Sequence, residues 1–193
     1  MQIDASAIPG RLAYQLLTDT IVPRPIAWVT TVSSAGIPNL APFSFFTGVT
    51  GRPPTLVLSV VGRASRGPDG VVMTEKHTLR NLRQTGVMIV HCAPAAHRDA
   101  VERSGEDLVE SPDELTDLGF TDIEPGRWVP VPRLRSLPLA MECRLDRLIP
   151  VGDPPAHLVL AQVLGWHVDD ALWTDGRIPS RPWGPLHRLG VEG

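Results

Sequence analysis

Cysteine is scarce in this 193-residue chain. Cys92 and Cys143 each sit inside an apolar, strand-like stretch, and no Cys-x-x-Cys pair is present. A disulfide framework, a dithiol redox centre and a cysteine zinc site therefore drop out, and two buried free thiols remain. Cationic surplus is absent as well. Eighteen Lys and Arg against 21 Asp and Glu give a formal net charge of -3, so the charge balance offers nothing to nucleic-acid phosphates. No apolar run approaches the ~20 residues of a membrane span. The start, Met1-Gln2-Ile3-Asp4, lacks the basic stretch and apolar core of a secretory signal. The expectation is a soluble, cytoplasmic protein with neither a nucleic-acid nor a membrane partner.

Several catalytic signatures are missing too. Gly62 to Gly67 has the glycine spacing of a P-loop, but Pro68 and Asp69 stand where Lys and Ser or Thr would meet phosphate and magnesium. No Gly-x-Gly-x-x-Gly follows a strand, and neither a Gly-x-Ser-x-Gly elbow nor His-Glu-x-x-His occurs. The six histidines contain no pair at helical ligand spacing, so no metal site is expected. His91 reads as a satisfied strand residue, and His157 and His167 as residues able to meet across a late hairpin. The acidic stretch from Glu102 to Asp122 contains no His or Cys, and reads as a solvated helical face and loop.

What is present is punctuation. Twenty prolines and 17 glycines are scattered along the chain, which favours short elements joined by turns. A helix is expected over Gly10 to Thr18. Ile26 to Val32 and Ile37 to Ala41, flanking Ser34-Ala35-Gly36, read as a hairpin. Thr55 to Val61 reads as a buried strand, Gly62 to Gly70 as a loop, Lys76 to Gln84 as a helix stopped by Gly86, and Val87 to Cys92 as a central strand. A second helix is expected over Ala95 to Gly105, then a hairpin of Leu137 to Pro150 with His157 to Asp169. With no repeat or linker, residues 1–193 read as a single domain. Strands without strict strand-helix alternation argue for a mainly β fold with inserted helices, a closed or partly closed barrel.

Two segments carry chemistry. Thr74 to Asn81 enters a helix from a Gly-rich loop and brings a cation, Lys76, and a hydroxyl, Thr78, to unpaired backbone amides at the positive end of a helix dipole. That combination suits a phosphate monoester. Taken alone, the same residues describe a capped helix with a surface lysine. In Asn39 to Phe46, small and polar residues alternate with Phe43, Phe45 and Phe46. Ala41-Pro42 leaves room for a planar ligand, and Asn39 and Ser44 can hydrogen-bond ring heteroatoms; a core aromatic cluster is the alternative.

Together, Pro23 to Thr31, Asn39 to Phe46, Pro53-Pro54 before a strand and Lys76 to Asn81, with Leu139 to Leu145 and Val168 to Asp170, resemble the flavin reductase-like FMN-binding proteins over nearly the whole chain. The resemblance implies an FMN-binding split β-barrel of Greek-key topology, a homodimer, and one FMN per subunit near the dimer interface. Carried over by position, it places Asn39, Ala41, Pro42, Phe43 and Ser44 against the flavin ring or ribityl chain. Ser59 and Val60 would line the next strand, with Lys76, Thr78 and Asn81 around the phosphate and Arg63 as an addition. His77 stands where members often carry an acid. Members also continue past Arg188-Leu189-Gly190 to a Tyr-containing end, whose contact is expected to be missing here. The implied activity is hydride transfer from NAD(P)H to flavin, with a monooxygenase as a partner for the reduced flavin. An electron-transfer or flavin-carrier protein without nicotinamide activity is the alternative. Because hydride transfer is cofactor chemistry, no catalytic side chain is assigned.

Overall fold

The computed structural model describes residues 1–67, 70–106, 114–179 and 183–189, with the side chains of 63–72 excepted. Seven strands form one antiparallel sheet: β1 (Ala27–Val32), β2 (Pro38–Phe43), β3 (Phe46–Gly51), β4 (Pro54–Val61), β5 (Val87–His91), β6 (Leu139–Val151) and β7 (Ala156–Val168). Their order is β2-β1-β5-β6-β7-β4-β3. The outermost strands, β2 and β3, are therefore consecutive in sequence, with only Ser44 and Phe45 between them. A flat seven-stranded sheet would hold its edges about 29 Å apart. The three residue steps from Phe43 to Phe46 reach at most about 11 Å. The sheet has to curl until its edges meet, and because β2 and β3 do not pair, the result is a split β-barrel.

The strands other than β3 supply the barrel core, largely through alternate residues. Val29, Leu58, Val60, Met88, Val90 and Val159 are fully buried there, and Leu79 and Leu82 of helix α2 (His77–Thr85) belong to the same cluster. Leu79 and Leu82 lie three apart, so one face of α2 packs on the core. Gly86 ends the helix in the left-handed conformation, φ 70°, its N–H donating to the Leu82 carbonyl at 3.0 Å. The β1–β2 hairpin forms where Ser34-Ala35-Gly36 indicated. Gly36 has φ 81°, and Ser33 closes the turn with its N–H to the Ile37 carbonyl at 2.8 Å.

Helix α1 (Gly10–Thr20) precedes the barrel, and a second apolar cluster around Trp28, Leu40, Phe120 and Leu134 covers its outside. Trp28 donates its indole N–H to Ser104 Oγ at 2.8 Å, just beyond helix α3 (Arg98–Arg103). His91 is fully buried and satisfied: its Nε2 accepts from Leu134 N–H at 3.1 Å, which leaves Nδ1 to donate to the Trp28 carbonyl at 3.2 Å. No helix among the described residues is long and apolar enough to cross a membrane.

Several expectations change. Most of Gly62 to Gly70, read as a loop, belongs to a hairpin, Arg63–Gly67 with Gly70–Thr74. Residues 95–105 are a 3-10 turn, Ala95–His97, followed by the short α3. His157 and His167 do not meet, since both lie on β7, ten residues apart or roughly 33 Å along a strand. The acidic stretch is not wholly solvated: Glu114, in helix α4 (Glu114–Asp117), is buried and accepts the Leu40 N–H at 2.8 Å, covering the open edge of β2. Pro68, Asp69 and positions 107–113 lie outside the described residues.

Candidate functional site

Along β2 and the link that follows it lies a pair of cavities that share Lys76 and Gly105. The smaller, about 40 Å³, is lined by Asn39 and Ala41 of β2, by Lys76, His77 and Thr78 at the start of α2, and by Gly105. That is room for a few waters or one small oxyanion. Lys76 is the N-cap of α2 and makes no side-chain capping bond, so the positive end of this nine-residue helix is presented without a side-chain cap.

The buried polar residues behind it fix the donors. Asn39 Nδ2 donates to Thr78 Oγ1 at 3.0 Å, which commits that oxygen as acceptor and directs the hydroxyl proton elsewhere. Asn81 Nδ2 donates to Thr31 Oγ1 at 3.1 Å. Of the three carboxylates on the lining of the smaller cavity, Glu75, Glu106 and Glu114, Glu75 pairs with Arg83 at 2.9 Å and Glu114 accepts from the backbone of β2. Cation, helix terminus and hydroxyl form a donor set that fits a phosphate monoester.

The larger cavity, about 250 Å³, is walled by Pro42, Phe43, Ser44 and Phe45 on one side and Ser59 and Val61 on the other, with Tyr14 and Arg188 at its margin. Lys76 Nζ lies 5.5 Å from the centre of the Phe43 ring, so the lysine stem runs from the aromatic wall to the helix start. A planar, largely apolar ligand carrying an anionic tail fits the two chambers together.

The structure thus gathers Asn39, Ala41, Pro42, Phe43, Ser44, Ser59, Lys76 and Thr78 around the two cavities. It does not bring in two others. The Val60 side chain is fully buried in the barrel core, because the period of two turns Ser59 and Val61 to the cavity instead. Asn81 is buried one turn into α2, bonded to Thr31, and lines neither cavity. The Arg63 side chain lies outside the described residues. His77 lines the phosphate-sized cavity, as does Ser104. Tyr14, Gly105 and Arg188 escaped the sequence because they reach the site from elements remote in the chain.

A further buried constellation holds the far side of the barrel. The Glu142 carboxylate, fully buried on β6, accepts the N–H groups of Arg127, Trp128 and Val129 at 2.6–2.8 Å, and His167 Nε2 lies 2.6 Å away. Burial pushes the Glu142 carboxyl up, but the His167 contact and the three backbone donors outweigh it and hold it below its ordinary value. Burial likewise pushes the Cys92 thiol to about 11 and the Cys143 thiol to about 12, so both stay protonated near neutral pH.

The sequence profile of the flavin reductase like domain matches residues 19–180. A protein of Halalkalibacterium halodurans of uncharacterized function is 35% identical, the match covering 98% of this chain and 88% of that one. Among solved structures, nitrilotriacetate monooxygenase component B from Bacillus cereus superposes with a TM-score of 0.87 at 31% identity, covering 100% of this chain and 94% of that one. The 2-nitrobenzoate 2-nitroreductase of Pseudomonas fluorescens gives a TM-score of 0.84 at 26% identity, covering 100% and 90%.

Proposed function

The chain belongs to the flavin reductase-like domain family, and on that premise we propose that it is an FMN-dependent oxidoreductase of flavin reductase type, taking hydride from NADH or NADPH. The observation that carries the reading is the pair of joined cavities, one sized and charged for a phosphate and the other walled by aromatics, with Lys76 common to both. The phosphate-sized chamber favours FMN over a flavin lacking the phosphate.

Lys76, Thr78 and the α2 terminus hold the phosphate; Asn39 keeps Thr78 in its donor orientation. Pro42 to Phe45 and Ser59 orient the ring and keep water from one of its faces. When bound, the flavin supplies the two-electron chemistry, which accounts for a site without an acid–base dyad. The protein acts as one domain and as a homodimer. Its resemblance to a monooxygenase component supports a role in supplying reduced flavin to a partner oxygenase. Purified protein mixed with FMN and NADH or NADPH is expected to oxidise the nicotinamide, followed by its absorbance. Tight FMN binding with no oxidation above background would leave a flavin carrier in place of a reductase.

A further inference from the structure

Beyond the flavin chambers lies a third cavity, of about 720 Å³, bounded by Leu17 of α1, Ile21 just past its end, Phe45, Val57 of β4, Leu158 of β7 and Arg24. Tyr14, Ser44, Phe45, Ser59 and Val61 are common to it and to the aromatic chamber, so the two are contiguous. Its size is that of a small-molecule site. The walls are predominantly apolar, and Arg24 is the one charged side chain on them among the described residues.

Arg24 is an expensive residue to place there. It is only 5% exposed, and its Nη1 donates to the carbonyls of Thr18 and Ile21. The guanidinium lies 5.6 Å from the centre of the Phe45 ring. Its Nε is buried with no partner, and Arg24 belongs to none of the ion pairs among the described residues. Two carbonyls and a ring face orient the group, and nothing among the described residues neutralises it. A buried cation left in that state costs stability unless an anion completes it.

We propose that this third cavity is a binding site for a small monoanion with an apolar body, such as an aromatic carboxylate, the acid group meeting Arg24 and the body filling the space between α1 and the β4–β7 wall. The inference concerns the chain's own residues and stands with or without a flavin. Charge complementarity selects the class: one buried guanidinium matches one carboxylate, and the walls offer little to a polyhydroxylated or multiply charged ligand.

The test titrates flavin-free full-length protein with 2-naphthoate and with its neutral counterpart, 2-naphthamide, by calorimetry. Naphthoate is expected to bind at least tenfold tighter than the amide. Arg24→Gln should abolish that preference. Because Arg24 also ties down the α1 end and its loss could unfold the chain, a second variant, Leu17→Glu, sets a tethered carboxylate on an already exposed wall position. It should fold and weaken naphthoate at least tenfold while leaving the amide little changed. Equal affinity for acid and amide, or no naphthoate binding at millimolar concentration, overturns the proposal. So does a dimer, sized by light scattering, whose second copy shuts naphthoate out. Because FMN is titrated separately, loss of the flavin reading would leave this result untouched.

Discussion

Asn39 of β2 and Thr78 of α2 meet, the amide of one donating to the hydroxyl of the other at 3.0 Å, and both are buried. One stands on an edge strand and the other in the first turn of a helix. The two chemical segments of the sequence are thereby bolted to each other. Asn39→Ala leaves Thr78 without that donor in a buried setting, at a cost of about 1–3 kcal/mol. The expected result is a lower melting temperature together with weaker FMN binding, read by thermal denaturation and fluorescence titration.

Lys76 lines both chambers, and the proposed phosphate contact rests on its charge. Lys76→Ala is expected to weaken FMN by about 1–3 kcal/mol, while riboflavin, which has no phosphate, changes little. An equal loss for both ligands would move Lys76 from the phosphate to the ring.

Glu142 is the fixed point of the 126–129 loop. Glu142→Gln replaces one accepting oxygen with a donor that faces backbone N–H groups, and should destabilise the fold by on the order of 3 kcal/mol. Denaturant titration measures the loss, and FMN affinity in the surviving folded fraction is expected to hold.

Acid should weaken the fold through His91. Burial above all, then Arg133 and His167, push its pKa from 6.5 to about 3 against the Trp28 hydrogen bond. The unfolded chain therefore takes up a proton that the folded chain refuses. Stability from this group is complete above about pH 6.5 and declines as pH falls toward 3, by up to about 1.4 kcal/mol per pH unit. Glu142, whose folded value is lowered from 4.5, adds in the same sense: its contribution is present above pH 4.5 and lost as pH falls through the folded value. Melting temperatures between pH 7 and 5 should drop for the native chain and change less steeply for His91→Gln.

Glycine substitutions should separate by what stands in the way. At Gly126 an added Cβ would come within 3.0 Å of the Val129 backbone carbonyl, whereas at Gly165 the obstacle is the ring of Trp128. Trp128 is 44% exposed and can swing outward. Gly165→Ala should cost about 1 kcal/mol with a changed tryptophan emission, and Gly126→Ala about 3 kcal/mol.

How much of this was legible depended on whether the signal was local. The β1–β2 hairpin and α2 announced themselves through β-branched runs, Leu79 and Leu82, and the stops at Gly36 and Gly86. β3 did not, because Thr47, Gly48, Thr50 and Gly51 form an exposed edge strand in which no burial imposes a pattern. Glu114 read as one more solvated acid, since only the fold brings it to the Leu40 amide. Glu142 did leave a trace, a lone carboxylate in Leu139-Ala140-Met141-Glu142-Cys143, but its partners come from a loop that no periodicity describes. Lys76, Thr78 and Asn39 were readable as chemistry, and their common cavity only as an expectation. The Arg24 chamber was invisible, being built by α1, β4 and β7 together.

The Ser44–Phe45 link makes barrel closure and cavity formation one event. The Phe45 carbonyl accepts the Ser59 N–H at 2.9 Å, the last rung of the β3–β4 ladder beyond the Phe46–Leu58 pair, and both residues line the aromatic chamber, so that amide is exposed only when this end of the ladder opens. Any ligand held by these walls binds the closed form and not the opened one, and must slow the opening equilibrium in proportion to its occupancy. The rate at which the Ser59 amide trades its hydrogen for deuterium is therefore a gauge of occupancy, readable without following any reaction.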